Sequence, residues 1–232
     1  MNDLVPDGIA LGEDGVARCH WADSAPEYRA YHDDEWGFPI ADDVRLFEKL
    51  SLEGFQAGLS WLTILRKRAA FRAAFDGFEF ERVAAFGEAD VQRLLQDAGI
   101  VRHRGKIEAV INNAGRAIEL VDAEGSLSAY LWGFAPAPRA HAPTRAELSA
   151  YTTTDESKAL AKDLKRRGWR CVGPTTAYAF MQSMGLVNDH MAGCDAYERA
   201  ARARADFTRP SPPTVARSPR RPDPRSNRRA PA

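Results

Sequence analysis

The chain has 232 residues, 44% hydrophobic and 28% charged, with no formal net charge. That is the composition of a globular protein with a sizeable core, and it excludes a fibrous or low-complexity chain. No apolar run approaches the roughly 20 residues that cross a bilayer, and the acidic start MNDLVPDGIALGEDG lacks a signal-peptide pattern, so the expected location is the cytoplasm. Cys19, Cys171 and Cys194 cannot all pair, and a reducing compartment disfavours disulfides.

Charge is uneven along the chain. Residues 1–15 carry Asp3, Asp7, Glu13 and Asp14, a net of −4, and are expected to form a flexible extension. Residues 206–232 hold seven arginines against Asp206 and Asp223, a net of +5. This tail is rich in Pro and Ser, cannot bury a core, and reads as disordered. Either it is a solvated appendage or it is a non-specific phosphate-binding arm. One folded domain is expected between them, over 16–205. Its bulk charge permits a nucleic-acid partner without implying one, so any basic footprint must be local.

Between these ends the pattern is helical. Asp42 caps DDVRLFEKLSLEGF and Ser60 caps SWLTILRKRAAFRAAF. Residues 88–98 place Val91, Leu94, Leu95 and Ala98 on one face, with Gly99 as a stop. Residues 106–121 do the same with Ile107, Val110, Ile111, Ala114, Ile118 and Val121. Asp155 opens ESKALAKDLKRRG, and Pro174 after Gly173 suits a first helical turn. Two-residue alternation is scarce, so the fold class is all-α.

Three features carry chemistry. The first is NDHMAGC, where His190 and Cys194 stand four apart, a spacing that puts both on one face of a helical turn. That is half of a tetrahedral zinc site, and Cys19 with His32 completes a Cys2His2 set. Such a site is closed and structural, stapling the start of the folded region to its end. Spacing alone is a weak signal, because five histidines offer chance pairings; the alternative is two small buried cysteines and a satisfied helix histidine. The second is the aromatic run Trp21, Tyr28, Tyr31, Trp36 and Trp61, with Glu53 in the otherwise apolar LEGFQAGLSW. Either the rings are core and Glu53 is solvated, or aromatic faces and one carboxylate receive a flat cationic ring. The third is LKRRGWRCVGPTTAYAFMQ. Gly168 and Gly173 flank a turn before a Pro-started helix containing Thr175, a geometry that suits phosphate. RHRGK, with Arg104 and Lys106, is a second candidate for backbone contacts.

In order, YHDDEWG, LEGFQAGLSW, DAGIVRHRGKI and GLVNDHMAGC closely resemble the bacterial DNA-3-methyladenine glycosylase I family, from about Arg18 to about Tyr197. The resemblance implies a helical glycosylase fold with a helix-hairpin-helix element. It implies excision of 3-methyladenine from alkylated double-stranded DNA, which initiates base excision repair, by a chain taken to be monomeric. It implies one structural Zn2+ on Cys19, His32, His190 and Cys194. Glu53 would read the base and act in catalysis, Trp61 would stack on it, and Tyr31, Trp21, Tyr28 and Trp36 would surround it. Gly168 to Gly173 would anchor the DNA backbone, and Gly58 and Leu59 would lie near the gap left by a flipped base. Cys171 reads as an unligated thiol, and no aspartate is obviously placed to activate water.

Overall fold

The computed structural model describes residues 6–150 and 152–211, and these form a helical domain with one short hairpin. In chain order, β1 (Ile9–Leu11) and β2 (Ala17–Cys19) precede a 3₁₀ turn (His20–Ser24) and α1 (Pro26–Asp34). Then come α2 (Asp43–Gln56), α3 (Trp61–Ala74), α4 (Phe80–Ala84), α5 (Glu88–Gln96) and α6 (Arg104–Glu124). The series ends with α7 (Leu127–Trp132), α8 (Arg145–Ser149), α9 (Asp155–Arg166), α10 (Pro174–Ser183) and α11 (Asp195–Asp206). The Asp42 and Ser60 side chains accept from the amides of Arg45 and Thr63, capping α2 and α3 as expected. Thr154, one residue earlier than expected, caps α9.

α2 is the axis of the molecule. Every residue from Leu46 to Phe55 is buried, so the helix is covered on all faces. Phe47, Leu50 and Phe55 are fully buried in the core, where α2 packs on α3, α6, α7 and α10. Complete burial forces the charged residues of this helix to find partners, because an isolated buried charge is costly. Glu48 accepts from Arg72 on α3 at 2.9 Å, and Lys49 meets Glu53 at 2.7 Å. At the start of α2, Asp43 accepts from the amides of Leu127 and Ser128, locking α7 to it.

Two stretches expected to be loose are ordered. Ile9–Leu11, within the expected N-terminal extension, pairs antiparallel with Ala17–Cys19, Ile9 opposite Cys19. Arg18, 6% exposed, bonds both Asp14 and Asp33 and so ties the hairpin to α1. At the other end α11 runs to Asp206, and the Phe207 ring lies 4.5 Å from that of Trp132, so the fold extends past 205. Packing against the buried Trp132 indole holds the chain there. The rest of the expected tail, from 212 onward, lies outside the described residues.

The α9–α10 connection is a tight hairpin. Arg167 ends α9, the amide of Trp169 donates to the Leu164 carbonyl, and that of Gly168 to Lys165. This is a Schellman closure, and it requires the left-handed φ of +85° that Gly168 supplies. Asn113 on α6 clamps the turn by bonding both the amide and the carbonyl of Arg170.

Gly185 starts the segment that leads from α10 to His190. Its φ is +74°, and a Cβ there would sit 2.5 Å from the backbone of Phe38 and Pro39. Neither the conformation nor the space admits a side chain. Gly185→Ala is therefore expected to cost about 2–4 kcal/mol of stability, read as a lower urea midpoint at unchanged slope.

Candidate active site and metal centre

A cavity of about 250 Å³ is lined by Trp21, Tyr28, Tyr31, Trp36, Glu53, Gln56, Trp61, Ala179 and Gln182. All six residues expected from the sequence to form a base pocket face this one space, although they come from five segments. The 3₁₀ turn supplies Trp21, α1 supplies Tyr28 and Tyr31, and the loop after it supplies Trp36. α2 supplies Glu53, and Trp61 is the first residue of α3, fixed by the Ser60 cap. The rings brace one another: Trp21 packs edge-on against Tyr28 at 5.6 Å and Trp36 at 5.2 Å, and Tyr31 lies 5.5 Å from Trp61. A larger cavity of about 450 Å³, beside the start of α9, is lined by Arg139, Asp155, Lys158 and Arg204 and has no aromatic wall.

Glu53 is 5% exposed, which excludes the reading of a solvated helix-surface carboxylate. Its partner is Lys49, one turn earlier, also 5% exposed. The Lys49 ammonium additionally donates to the Tyr31 hydroxyl at 2.9 Å and sits 3.2 Å from the centre of the Trp61 ring. Burial pulls Lys49 down to about 8, and Glu53 opposes that pull. Burial, and then the Glu53 charge, push Tyr31 well above the usual phenol range, so it is a neutral hydroxyl. Across the cavity, Gln182 donates its amide N–H to the buried Asp189 at 3.0 Å, and Asp189 also accepts from the Tyr178 hydroxyl and Arg139. Lys49, Gln56, Ala179 and Gln182 were not anticipated from the sequence.

Against the aromatic wall lies a second constellation. The ligand atoms of Cys19, His32, His190 and Cys194 all fall within 4.8 Å of one another, and all four residues are buried. His32 Nε2 and His190 Nδ1 are 3.2 Å apart; Cys194 Sγ lies 3.4 Å from the first and 3.6 Å from the second; Cys19 Sγ is 4.0 Å from His190 Nδ1. The other ring nitrogens face groups that can only accept. His32 Nδ1 meets the Asp33 carboxylate at 2.7 Å, and His190 Nε2 meets the Trp36 carbonyl at 2.9 Å. Those nitrogens therefore carry the protons, and the two inward nitrogens present lone pairs to each other. Two lone pairs at that distance repel unless a cation lies between them. The group can hold a metal ion.

The path to this cluster differs from expectation at one end. His190 and Cys194 do not share a helical turn. Residues 188–194 are loop and turn, closed by the Cys194 amide on the Met191 carbonyl at 2.9 Å, and Cys194 itself is the residue before α11. The turn gathers the two side chains as a helix would have.

The residues expected to touch the DNA backbone are less uniform. Gly168, Gly173 and Thr175 lie in the hairpin and first turn of α10. Lys106 shares a small crevice with Arg170 and Cys171, but its ammonium donates to the carbonyls of Phe55 and Ala57 at 2.8 and 2.6 Å. It caps the end of α2, which needs such donors, and is not a free phosphate ligand in this state. Arg104 is ion-paired with Glu88 and Glu108. Cys171 is exposed and unpaired with any cysteine. Gly58 is in the left-handed region, and Leu59 is 43% exposed, one of two exposed large hydrophobics among the described residues.

A family model described as methyladenine glycosylase matches residues 21–197. The chain belongs to the methyladenine glycosylase family. Within this family it is 49% identical over 184 residues to a DNA-3-methyladenine glycosylase 1 of Escherichia coli, covering 78% of this chain and 97% of that protein. It is 43% identical over 183 residues to a Haemophilus influenzae DNA-3-methyladenine glycosylase, covering 77% and 97%. A solved Staphylococcus aureus structure, described as the basis of 3-methyladenine recognition by 3-methyladenine DNA glycosylase I, superposes with a TM-score of 0.73. It has 37% identity, covering 78% of this chain and 96% of that one. The family match holds every cavity residue and three of the four cluster residues, and Cys19 lies two positions before it. Members of the family are DNA N-glycosylases, hydrolases of the bond between a damaged base and its sugar.

Proposed function

We propose that this chain hydrolyses the N-glycosidic bond of 3-methyladenine in alkylated double-stranded DNA, acting as a monomer in the cytoplasm and initiating base excision repair. The observation that carries the reading is the cavity in which five aromatic rings surround one buried carboxylate, Glu53. A base inside a duplex cannot reach such a cavity, so the nucleotide must be flipped out, at a cost of a few kcal/mol. The α9–α10 turn, read as a helix-hairpin-helix element, would grip the phosphates through Gly168, Gly173 and the N-terminal amides near Thr175. The ion pairs of Arg104 and the carbonyl contacts of Lys106 would have to open before either touched DNA.

3-Methyladenine in DNA carries a positive charge. Its N9–C1′ bond breaks with the electron pair passing to the base, which leaves neutral. Water adds to C1′ and releases a proton to solvent, through an oxocarbenium-like transition state. A leaving group that is already cationic needs no strong general acid. Glu53 would accept from the adenine edge, and the rings would add stacking and a cation–π contribution of roughly 0.5–2 kcal/mol.

The buried cluster fits zinc. Zn–N distances of about 2.0–2.1 Å and Zn–S of about 2.3 Å in a tetrahedron separate ligand atoms by about 3.3–3.8 Å, and the distances of 3.2–4.0 Å match that spread. Two thiolates and two imidazoles favour zinc over harder cations. Zinc would supply structure, not a nucleophile, because four protein ligands leave no open position.

The test is base release. N-methylated duplex DNA is incubated with the protein and the freed bases are separated by chromatography. Release of 3-methyladenine with little 7-methylguanine is expected. Folded, metal-loaded protein that frees no base would leave the chain a binder of damaged DNA and end the proposal.

A further inference from the structure

Lys49 is a buried cation behind the cavity wall, and neither the resemblance nor the comparisons give it a role. It touches three of the pocket groups at once: Glu53 at 2.7 Å, Tyr31 at 2.9 Å, and the Trp61 ring at 3.2 Å. Stability does not account for it. A buried Lys–Glu pair is repaid for its lost hydration only in part, and an apolar pair of similar volume would serve the core of α2 as well or better. The pair also sets the electrostatics of the cavity. With Lys49 protonated, it and Glu53 cancel, so recognition of a cationic base cannot rest on net pocket charge.

Resting on the base-pocket reading above, we infer that Lys49 is a positioning residue for base recognition. It fixes Glu53 and Tyr31 so that one acceptor and one donor are presented to the base. The argument is one of hydrogen-bond valence. The ammonium has only protons to give. It occupies Glu53 Oε1, which leaves the second carboxylate oxygen as the acceptor available to the cavity that Glu53 lines. It donates to the Tyr31 oxygen, so the phenolic proton must turn away from it, and a base in the cavity competes for that proton with the neighbouring Ser183 oxygen, whose own proton goes to the Phe180 carbonyl. Its third proton points to the Trp61 face, and the ring that would stack on the base is held from behind by a fixed charge. Behind Lys49, a crevice of about 20 Å³ is lined by Glu35, Arg68, Glu48 and Arg72, whose pairs Arg68–Glu35 and Arg72–Glu48 are already made. No second carboxylate is therefore free to draw the ammonium away from Glu53.

The test is a double-mutant cycle. Base release, and the dissociation constant of free 3-methyladenine from tryptophan fluorescence, are measured for the wild type, Lys49→Met, Glu53→Gln and the double variant. Affinity for an abasic-site duplex is the fold control. Lys49→Met is expected to weaken 3-methyladenine binding and release at least about tenfold in the wild-type background and less than about threefold when Glu53 is already Gln. Abasic-duplex affinity should stay within about twofold. The same loss in both backgrounds, or a parallel loss of abasic-duplex affinity, would make Lys49 merely structural and overturn the inference. If Lys49→Met alone does not fold, Glu53→Gln is compared with the double variant, in which both charges are gone: equal activity supports positioning, and a further tenfold loss overturns it. A wild type that releases no base yet binds free 3-methyladenine would end the functional proposal and leave this inference to be decided on binding. A wild type that does neither would end both.

Discussion

His190→Ala is expected to strip the metal from the chain and lower the melting temperature by about 10–20 °C. His190 is fully buried, and its two ring nitrogens serve different masters: Nδ1 faces the cluster and Nε2 donates to the Trp36 carbonyl. Alanine removes one of the four potential ligands and leaves the part-buried Trp36 carbonyl without its donor. Structural zinc contributes roughly 10–16 kcal/mol of binding energy in small domains. A domain with its own large core recovers only part of that, so a loss of about 4–5 kcal/mol is the expected scale, and for this size each kcal/mol moves the midpoint by about 2–4 °C. Metal content per chain, by mass spectrometry on dialysed protein, should fall from one to none. Cys171→Ser is the control: Cys171 is exposed and is not one of the four cluster residues, so both readings should be unchanged. A His190→Ala protein that melts within about 2 °C of the wild type would show that the core alone holds the ends of the fold together.

The effect should not stop at stability, because the cluster and the cavity share a wall. The His32 ring packs against Trp21 at 5.2 Å, and His190 against Trp36 at 4.8 Å. Tyr31 precedes His32 on α1, so its direction is set by the same anchor. Arg18 and Asp33 extend the brace outward, since Asp33 holds both Arg18 and His32 Nδ1. Loss of the metal should therefore weaken 3-methyladenine binding even in the fraction of molecules that remain folded. The four-residue cluster and the aromatic cavity are packed as one mechanical unit.

The parts of this arrangement that were legible in the sequence are those with rare residue types. Five histidines and three cysteines drew attention to a Cys2His2 set that spacing alone left open and the resemblance picked out, and the aromatic run around YHDDEWG announces itself by density. Helix caps at Asp42 and Ser60 were readable because capping is a local interaction. What was not readable depended on burial or on distant chain. Glu53 stood out in its apolar stretch, but Lys49 looks like the other half of an ordinary i,i+4 surface pair, and only the enclosure of α2 on every side, which no periodicity reveals, places it against the pocket residues. Ala179 and Gln182 join the cavity because α10 folds back on α2, across more than a hundred residues. Lys106 reads as a basic patch with Arg102 and Arg104, but it reaches the carbonyls at the end of α2 instead. The hairpin at Ile9–Cys19 escaped because three-residue strands are too short to show alternation.

Glu53→Gln is the second large effect, and its size distinguishes two chemistries. The substitution keeps the shape and one acceptor oxygen but removes the charge. If Glu53 only accepts hydrogen bonds from a base that leaves readily, the loss should match one charge-assisted hydrogen bond, about 1.5–3 kcal/mol, or about 10- to 150-fold in single-turnover release of 3-methyladenine. If it moved a proton, the loss should reach about 10³–10⁴-fold. The first range is expected, because the methylated base is already cationic. The protein side must be checked as well. Glu53 is what holds Lys49 up against the pull of burial, so its charge loss lowers Lys49 further and shifts the ammonium toward the neutral amine at neutral pH. That relief means the variant does not carry a full buried unpaired charge, and a melting decrease of less than about 3 kcal/mol is expected, below the about 3–5 kcal/mol of a broken buried pair. Release measured at saturating enzyme, on protein shown by its melt to be folded, separates the two effects. A loss beyond 10³-fold in folded protein would move Glu53 from a recognition group to the proton-transfer group of the reaction.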